Sequence, residues 1–198
     1  MAAGRRRELE REFKGRVRFE RRTFLLMPQK GQRPAYDDYV IAHRVRAAQM
    51  LPELKFAIPR SGAKYPRSSW PAQLFALRVE EVAPDRLAAV EDALFGAMFR
   101  ELRDISDPDV LRECARASGV AEGQVEAALG NEALAARAVR EHQEAEDLGI
   151  NGIPALALPG LDPITGAVPI EDYRRAVEQS LQTLQGLPGA QGAKSPEA

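Results

Sequence analysis

The chain of 198 residues contains one cysteine, two histidines and one tryptophan. A lone cysteine, Cys114, excludes an internal disulfide and agrees with a reducing compartment. His43 and His142 lie far apart, and neither stands at metal-ligand spacing from another His, Cys or carboxylate, so no metal site is expected. No apolar run approaches the length that spans a bilayer, and the first residues lack the apolar core of a secretory signal. The expected location is therefore cytoplasmic, with no membrane partner. Charge of one sign is missing too: 28 Lys and Arg meet 29 Asp and Glu, for a formal net charge of −1. A nucleic-acid binder needs a basic surface, so no nucleic-acid partner is expected. Arg5, Arg6 and Arg7 are followed at once by Glu8, Glu10 and Glu12, the pattern of a solvated helix face.

Against these absences stands a regular alternation of helical and extended patterns. Residues 5–13 read as a short helix closed by Gly15, and residues 16–27 as a strand stopped by Pro28, with a polar loop at 30–34. Residues 35–51 read as a helix with Tyr36, Tyr39, Val40, His43 and Ala47 along one inward stripe. An irregular stretch, 52–66, precedes a helix capped by Ser68 or Ser69 with Pro71 in its first turn. Pro84 opens another helix that carries Leu87, Val90, Leu94, Phe95, Met98 and Phe99 inward. The run Ser106-Asp107-Pro108-Asp109 resembles a capping box, and its helix ends at Gly119. Helices at 122–129 and 132–148 follow, the second ended by Gly149. Short strands at 155–158 and 164–167 and a helix at 170–184 complete the pattern, before a Gly-, Pro- and Ala-rich tail expected to be disordered. The expected fold class is α/β, an α/β module interrupted by a large all-helical insertion. The expected divisions are 1–33, 34–147, 148–185 and the tail 186–198.

The most informative stretch is Gly149-Ile150-Asn151-Gly152-Ile153-Pro154, a glycine-rich turn that opens an apolar strand on a proline. Proline donates nothing to a sheet ladder, and an X-Pro bond at such a turn is the usual place for a cis peptide. This turn, the strand VRFERRTFLLMP at 17–28, the loop Tyr65-Pro66-Arg67-Ser68-Ser69, the helix pair FGAMFRELRDISDPDV at 95–110 and the step Gly166-Ala167-Val168-Pro169 occur in the order found in one family. Together they resemble the DsbA-like thioredoxin-fold family, in its cytoplasmic FrnE-like branch. That family is related to 2-hydroxychromene-2-carboxylate isomerase and the kappa-class glutathione transferases.

The resemblance implies a thioredoxin-like fold and a thiol–disulfide oxidoreductase acting on an extended peptide or on a protein thiol or disulfide. By the same resemblance Ile153 and Pro154 belong to the substrate groove, Ile153 through its backbone. The family's first strand and its Cys-x-x-Cys pair have no counterpart here, so no catalytic residue is assigned. Three accounts of that gap are open: a coding sequence that continues upstream of Met1, a degenerate site, or a strand from another copy, as in a homodimer. The first is the favoured expectation. No cofactor is expected on the leading reading. Glutathione is the cofactor of the rival one, a kappa-type isomerase or transferase. A third reading is a non-catalytic, chaperone-like peptide-binding protein. Cys114, with apolar neighbours at Leu111 and Ala115, reads as a small core hydrophobe.

Overall fold

A computed structural model describes residues 2–25 and 35–186. It divides into two compact units, one made of residues 1–24 and 141–198 and the other of residues 25–140. The expected stop at Pro28, the loop at 30–34 and the tail from 187 lie outside the described residues.

The first unit holds α1 (Ala2–Glu12), the end of α7 (Glu132–Asp147), β1 (Ala155–Leu156), β2 (Ile164–Thr165) and α8 (Ile170–Gln185). Leu9 and Phe13 recur one helical turn apart, as do Tyr173 and Val177 on α8, so the two stripes meet. These four side chains are buried, and Val17, Phe19, Leu156, Leu158, Ile164 and Leu181 pack around them. The Tyr173 hydroxyl leaves this core by donating to the Gly166 carbonyl at 2.6 Å. Arg174 on α8 reaches Glu8 and Glu12 on α1, and Arg16 makes a two-pronged bond to Glu178 at 3.0 and 2.8 Å. Such exposed pairs add little net stability but fix which faces of α1 and α8 meet.

The second unit is helical. It contains α2 (Asp38–Met50), α3 (Trp70–Val82), α4 (Leu87–Phe95), α5 (Pro108–Ala117), α6 (Gly123–Leu129) and the first turns of α7. Leu74, Phe75, Leu77 and Val79 of α3 are buried almost completely, and Val90, Leu111, Val125 and Leu134 close the core around them. The α4 helix widens into a π-helical turn at Gly96–Arg100. Asp107 caps α5 by accepting from the Asp109 amide at 3.0 Å, so the cap uses the Asp of the expected Ser-Asp-Pro-Asp start rather than its Ser. Asp107→Ala should lower stability by about 1 kcal/mol, read as a fall in Tm.

The helix-stripe expectation for α2 is corrected. Tyr36, just before the helix, is buried, but Tyr39 is 67% exposed and His43 is exposed, and the buried residue is Arg44. The Arg44 guanidinium lies 5.2 Å from the Tyr36 ring and 4.9 Å from the Phe99 ring. A guanidinium on a long apolar stem can stack between aromatic faces where a periodicity argument expects only hydrocarbon.

Asp104 ties two loops of this unit together. It accepts from the Ser106 amide at 2.9 Å and hydroxyl at 2.6 Å, and from Arg67 Nε at 3.0 Å. Burial alone would push its carboxyl up, but the bonds from Ser106 and Arg67 outweigh it and hold the group below the ordinary Asp range. A carboxyl with a depressed folded pKa stabilises above its unfolded pKa and loses that contribution as pH falls through the folded one. Acid unfolding of Asp104→Asn should therefore be less steep below about pH 4 than that of the parent chain.

Candidate functional site

The site is built within the first unit, where α7 ends. Gly149, at φ +78°, donates to the Glu146 carbonyl at 2.8 Å, and Ile150 donates to Ala145 at 3.0 Å. This paired bond is the Schellman stop, and its left-handed residue favours glycine. Gly149→Ala should cost about 1 kcal/mol, checked by thermal melting. The chain then turns through Asn151 and Gly152 to a cis Ile153–Pro154 peptide and enters β1.

β1 pairs with β2 antiparallel, Ala155 opposite Thr165 and Leu156 opposite Ile164. The Gly166 amide donates to the Pro154 carbonyl at 2.7 Å. In an antiparallel ladder, bonded and non-bonded pairs alternate. Pro154 and Leu156 therefore turn their main-chain groups toward β2, and Ala155 turns its own to the opposite edge. Among the described residues that edge has no strand beside it.

Facing the same space is residue run 16–25. It makes no ladder among the described residues, yet its burial alternates: Arg16, Arg18, Glu20 and Arg22 are exposed, while Val17, Phe19, Arg21 and Thr23 are at least half-buried. That is the two-residue period of a strand with one face on a core. Residues 16–27, expected as a strand, and the Pro154-led strand do not share a hydrogen-bonded sheet: among the described residues the sheet consists of β1 and β2, and the run meets them through the core beneath. A cleft of about 510 Å³ has the run along one side and residues 155–159 among its other walls. Sheet neighbours must lie ~4.8 Å apart to bond, so two segments with an open cleft between them do not pair.

Glu141 anchors the run. Its side chain is 2% exposed, and its carboxylate accepts from the Thr23 amide at 2.7 Å and lies 3.7 Å from Arg22 Nη1. The cleft floor is apolar, with Ile150, Leu156, Leu158, Val177 and Leu181. Among the described residues, the large hydrophobic side chains that this unit exposes, Leu148, Ile153 and Leu184, all line it. Exposed apolar groups gathered on one opening mark a binding surface more often than scattered ones do.

Ile153, 50% exposed, stands in the cleft lining, and Pro154 is the next residue, at the head of β1. Cys114 is buried in α5 of the second unit, where burial pushes its thiol above the ordinary cysteine range. A thiol that is enclosed and protonated is a poor nucleophile. Ser68 is also enclosed, and its hydroxyl accepts from the Trp70 amide at 3.0 Å in the turn before α3, whose N-cap, Ser69, makes no side-chain cap bond. No group of three or more His, Cys, Asp or Glu able to hold a metal occurs among the described residues. Sequence reasoning missed Glu141, which in a Glu-rich helix end looks like one more solvated acid. It also missed Leu148 and Leu184, whose exposure no periodicity announces.

The chain matches the DSBA-like thioredoxin domain over residues 2–178. A probable DsbA oxidoreductase of Streptomyces coelicolor superposes with a TM-score of 0.69 at 20% identity, covering 100% of this chain and 86% of that one. The cytosolic disulfide reductase DsbM of Pseudomonas aeruginosa gives 0.67 at 23% identity, covering 92% of each chain. At these identities the two structures speak for the thioredoxin-like fold alone. Among curated proteins none matches. With the family match spanning all but the last part of the chain, the protein belongs to the DsbA-like thioredoxin-domain family of thiol–disulfide oxidoreductases.

Proposed function

We propose that this chain serves protein disulfide exchange by holding an extended segment of a substrate protein along the Ile153–Pro154 turn, the exchange itself being done by a Cys-x-x-Cys pair that is not among these 198 residues. The observation that carries the reading is the placing of Ile153, half-exposed, in the lining of an apolar cleft in a chain of this family. Next along the chain, the main-chain groups of Ala155, turned away from β2, are the donors and acceptors an extended peptide uses. In the exchange, a thiolate attacks one sulfur of the substrate disulfide, a mixed disulfide forms, and the second thiol displaces it, leaving the substrate with two thiols and the enzyme with a disulfide. Cys114 has no second cysteine with which to complete that sequence, and it is enclosed.

Reduction of insulin with dithiothreitol as donor tests the reading. A form extended upstream through an in-frame Cys-x-x-Cys segment is expected to accelerate the reaction. An extended form that carries the pair and leaves insulin intact would overturn it. Binding of reduced insulin B chain to the 198-residue chain, weakened by Ile153→Asp, is the companion expectation. A cytoplasmic setting accords with a thiol-based reductant, and it too is part of the proposal.

A further inference from the structure

Arg44 of α2 is 6% exposed, and its Nη1 is enclosed without a hydrogen-bond partner. Among the described residues no ion pair joins it to a carboxylate. The acids at the start of its helix are engaged elsewhere: Asp37 accepts from the Val40 amide at 2.8 Å, and Asp38 from the Ser61 hydroxyl at 3.0 Å. Beside Arg44 lies a second enclosed donor without a partner, the hydroxyl of Tyr36, a residue 1% exposed. Burial pushes that hydroxyl above the ordinary tyrosine range, so it stays protonated and able to donate. The Arg44 charge is close enough to oppose the rise, yet no hydrogen bond closes between the two groups.

Aromatic packing holds both groups in place. The guanidinium lies 5.2 Å from the Tyr36 ring and 4.9 Å from the Phe99 ring, and the Tyr65 ring stands edge-on to Tyr36 at 4.7 Å. Phe99 is delivered by the π-helical turn Gly96–Arg100, and its carbonyl accepts from the Ala57 amide at 2.9 Å. Such turns are frequent at functional sites. Two non-glycine residues on the connecting segments, Lys55 and Leu102, hold left-handed backbone at φ +51° and +57°. Conformations of that kind persist where the surroundings over-determine them, as they do around ligands. Stacking on two rings recovers part of the cost of enclosing a cation. It does not supply the acceptor, and an unpaired buried charge is strongly unfavourable until an anion meets it.

The donors define the anion. A guanidinium meets a carboxylate in a planar arrangement, and with a phenol O–H alongside, one carboxylate takes a bond from each group. A tetrahedral phosphate brings more charge than a single guanidinium matches. The enclosure of both side chains limits the occupant to a few atoms, which favours an acid of formate or acetate size over one carried on an aromatic ring. We propose that Arg44 and Tyr36 form a binding site for a small aliphatic monocarboxylate, one oxygen accepting from Arg44 Nη1 and the other from the Tyr36 hydroxyl. The site lies wholly in the second unit and stands independently of the peptide-binding reading.

The test is calorimetric titration of the 198-residue chain with sodium acetate and sodium formate, the ionic strength being held with sodium chloride. Both are expected to bind, and to raise the midpoint of the Trp70 fluorescence transition, since that single tryptophan lies in the second unit. Tyr36→Phe keeps the ring and its stacking and removes the hydroxyl, so it should weaken acetate about fivefold. Arg44→Lys keeps the charge and loses the planar fork, and should weaken acetate at least about tenfold. Phosphate and benzoate should each bind at least about tenfold more weakly than acetate. Absence of binding by acetate and formate to the parent chain would overturn the proposal. Acetate binding unchanged in both Tyr36→Phe and Arg44→Lys would put the anion elsewhere and overturn it as well. Phosphate or benzoate bound more tightly than acetate would contradict the small-carboxylate assignment.

Discussion

Glu141→Ala is expected to lower the stability of the first unit by about 3 kcal/mol. The carboxylate is enclosed and accepts the Thr23 amide, itself part of a residue that is 1% exposed. Truncation leaves a buried N–H without its acceptor, and Arg22 loses its enclosed counter-charge. Glu141→Gln keeps an oxygen at the same place and should cost about 1 kcal/mol. Trp70, the single tryptophan, lies in α3 of the second unit, so its fluorescence reports that unit. Far-UV circular dichroism reports both. The expected result for the alanine variant is an early loss of part of the dichroism in urea, with the Trp70 transition less affected. Coincident shifts of both signals would mean that Glu141 holds more than the residue run 16–25.

The second large effect concerns thiol chemistry. The 198-residue chain alone is expected to leave insulin disulfides intact under conditions where a dithiol enzyme of this family precipitates the B chain. Its only thiol, Cys114, is 5% exposed, and burial raises its pKa, so both access and thiolate content are low. Ellman's reagent should label the native chain at least about a hundredfold more slowly than the chain in guanidinium. Cys114→Ala should leave peptide binding at the cleft unchanged. Fast native labelling, or insulin reduction that Cys114→Ala abolishes, would show a working thiol where the packing of α5 provides none.

Much of the architecture was legible because its signals are local. The Gly149 stop, the Pro154-led strand and the Asp107 start each depend on a few adjacent residues. The order of those signals was enough to suggest the family. What was not legible depends on distance. The pairing of the run 16–25 could not be read from its alternation, because a strand pattern states which face is buried and says nothing of which neighbour, if any, supplies the ladder. Arg44 defeated the α2 stripe because the ring of Phe99, far along the chain, joins that of nearby Tyr36 to make a place for a cation. The burial of Glu141 could not be read from α7, because its partner is an amide well over a hundred residues away in sequence. The cis peptide at Ile153–Pro154 was legible for the opposite reason: its geometry is written into the turn itself.

The sharpest measurement is amide hydrogen exchange on the free and peptide-bound chain, resolved by residue along β1. The cleft account predicts that Leu156, which faces β2, is protected in both states, whereas Ala155 exchanges quickly in the free chain and slows markedly when the peptide binds. Ala155 already as slow as Leu156 in the free chain, or still fast with the peptide bound, would contradict it.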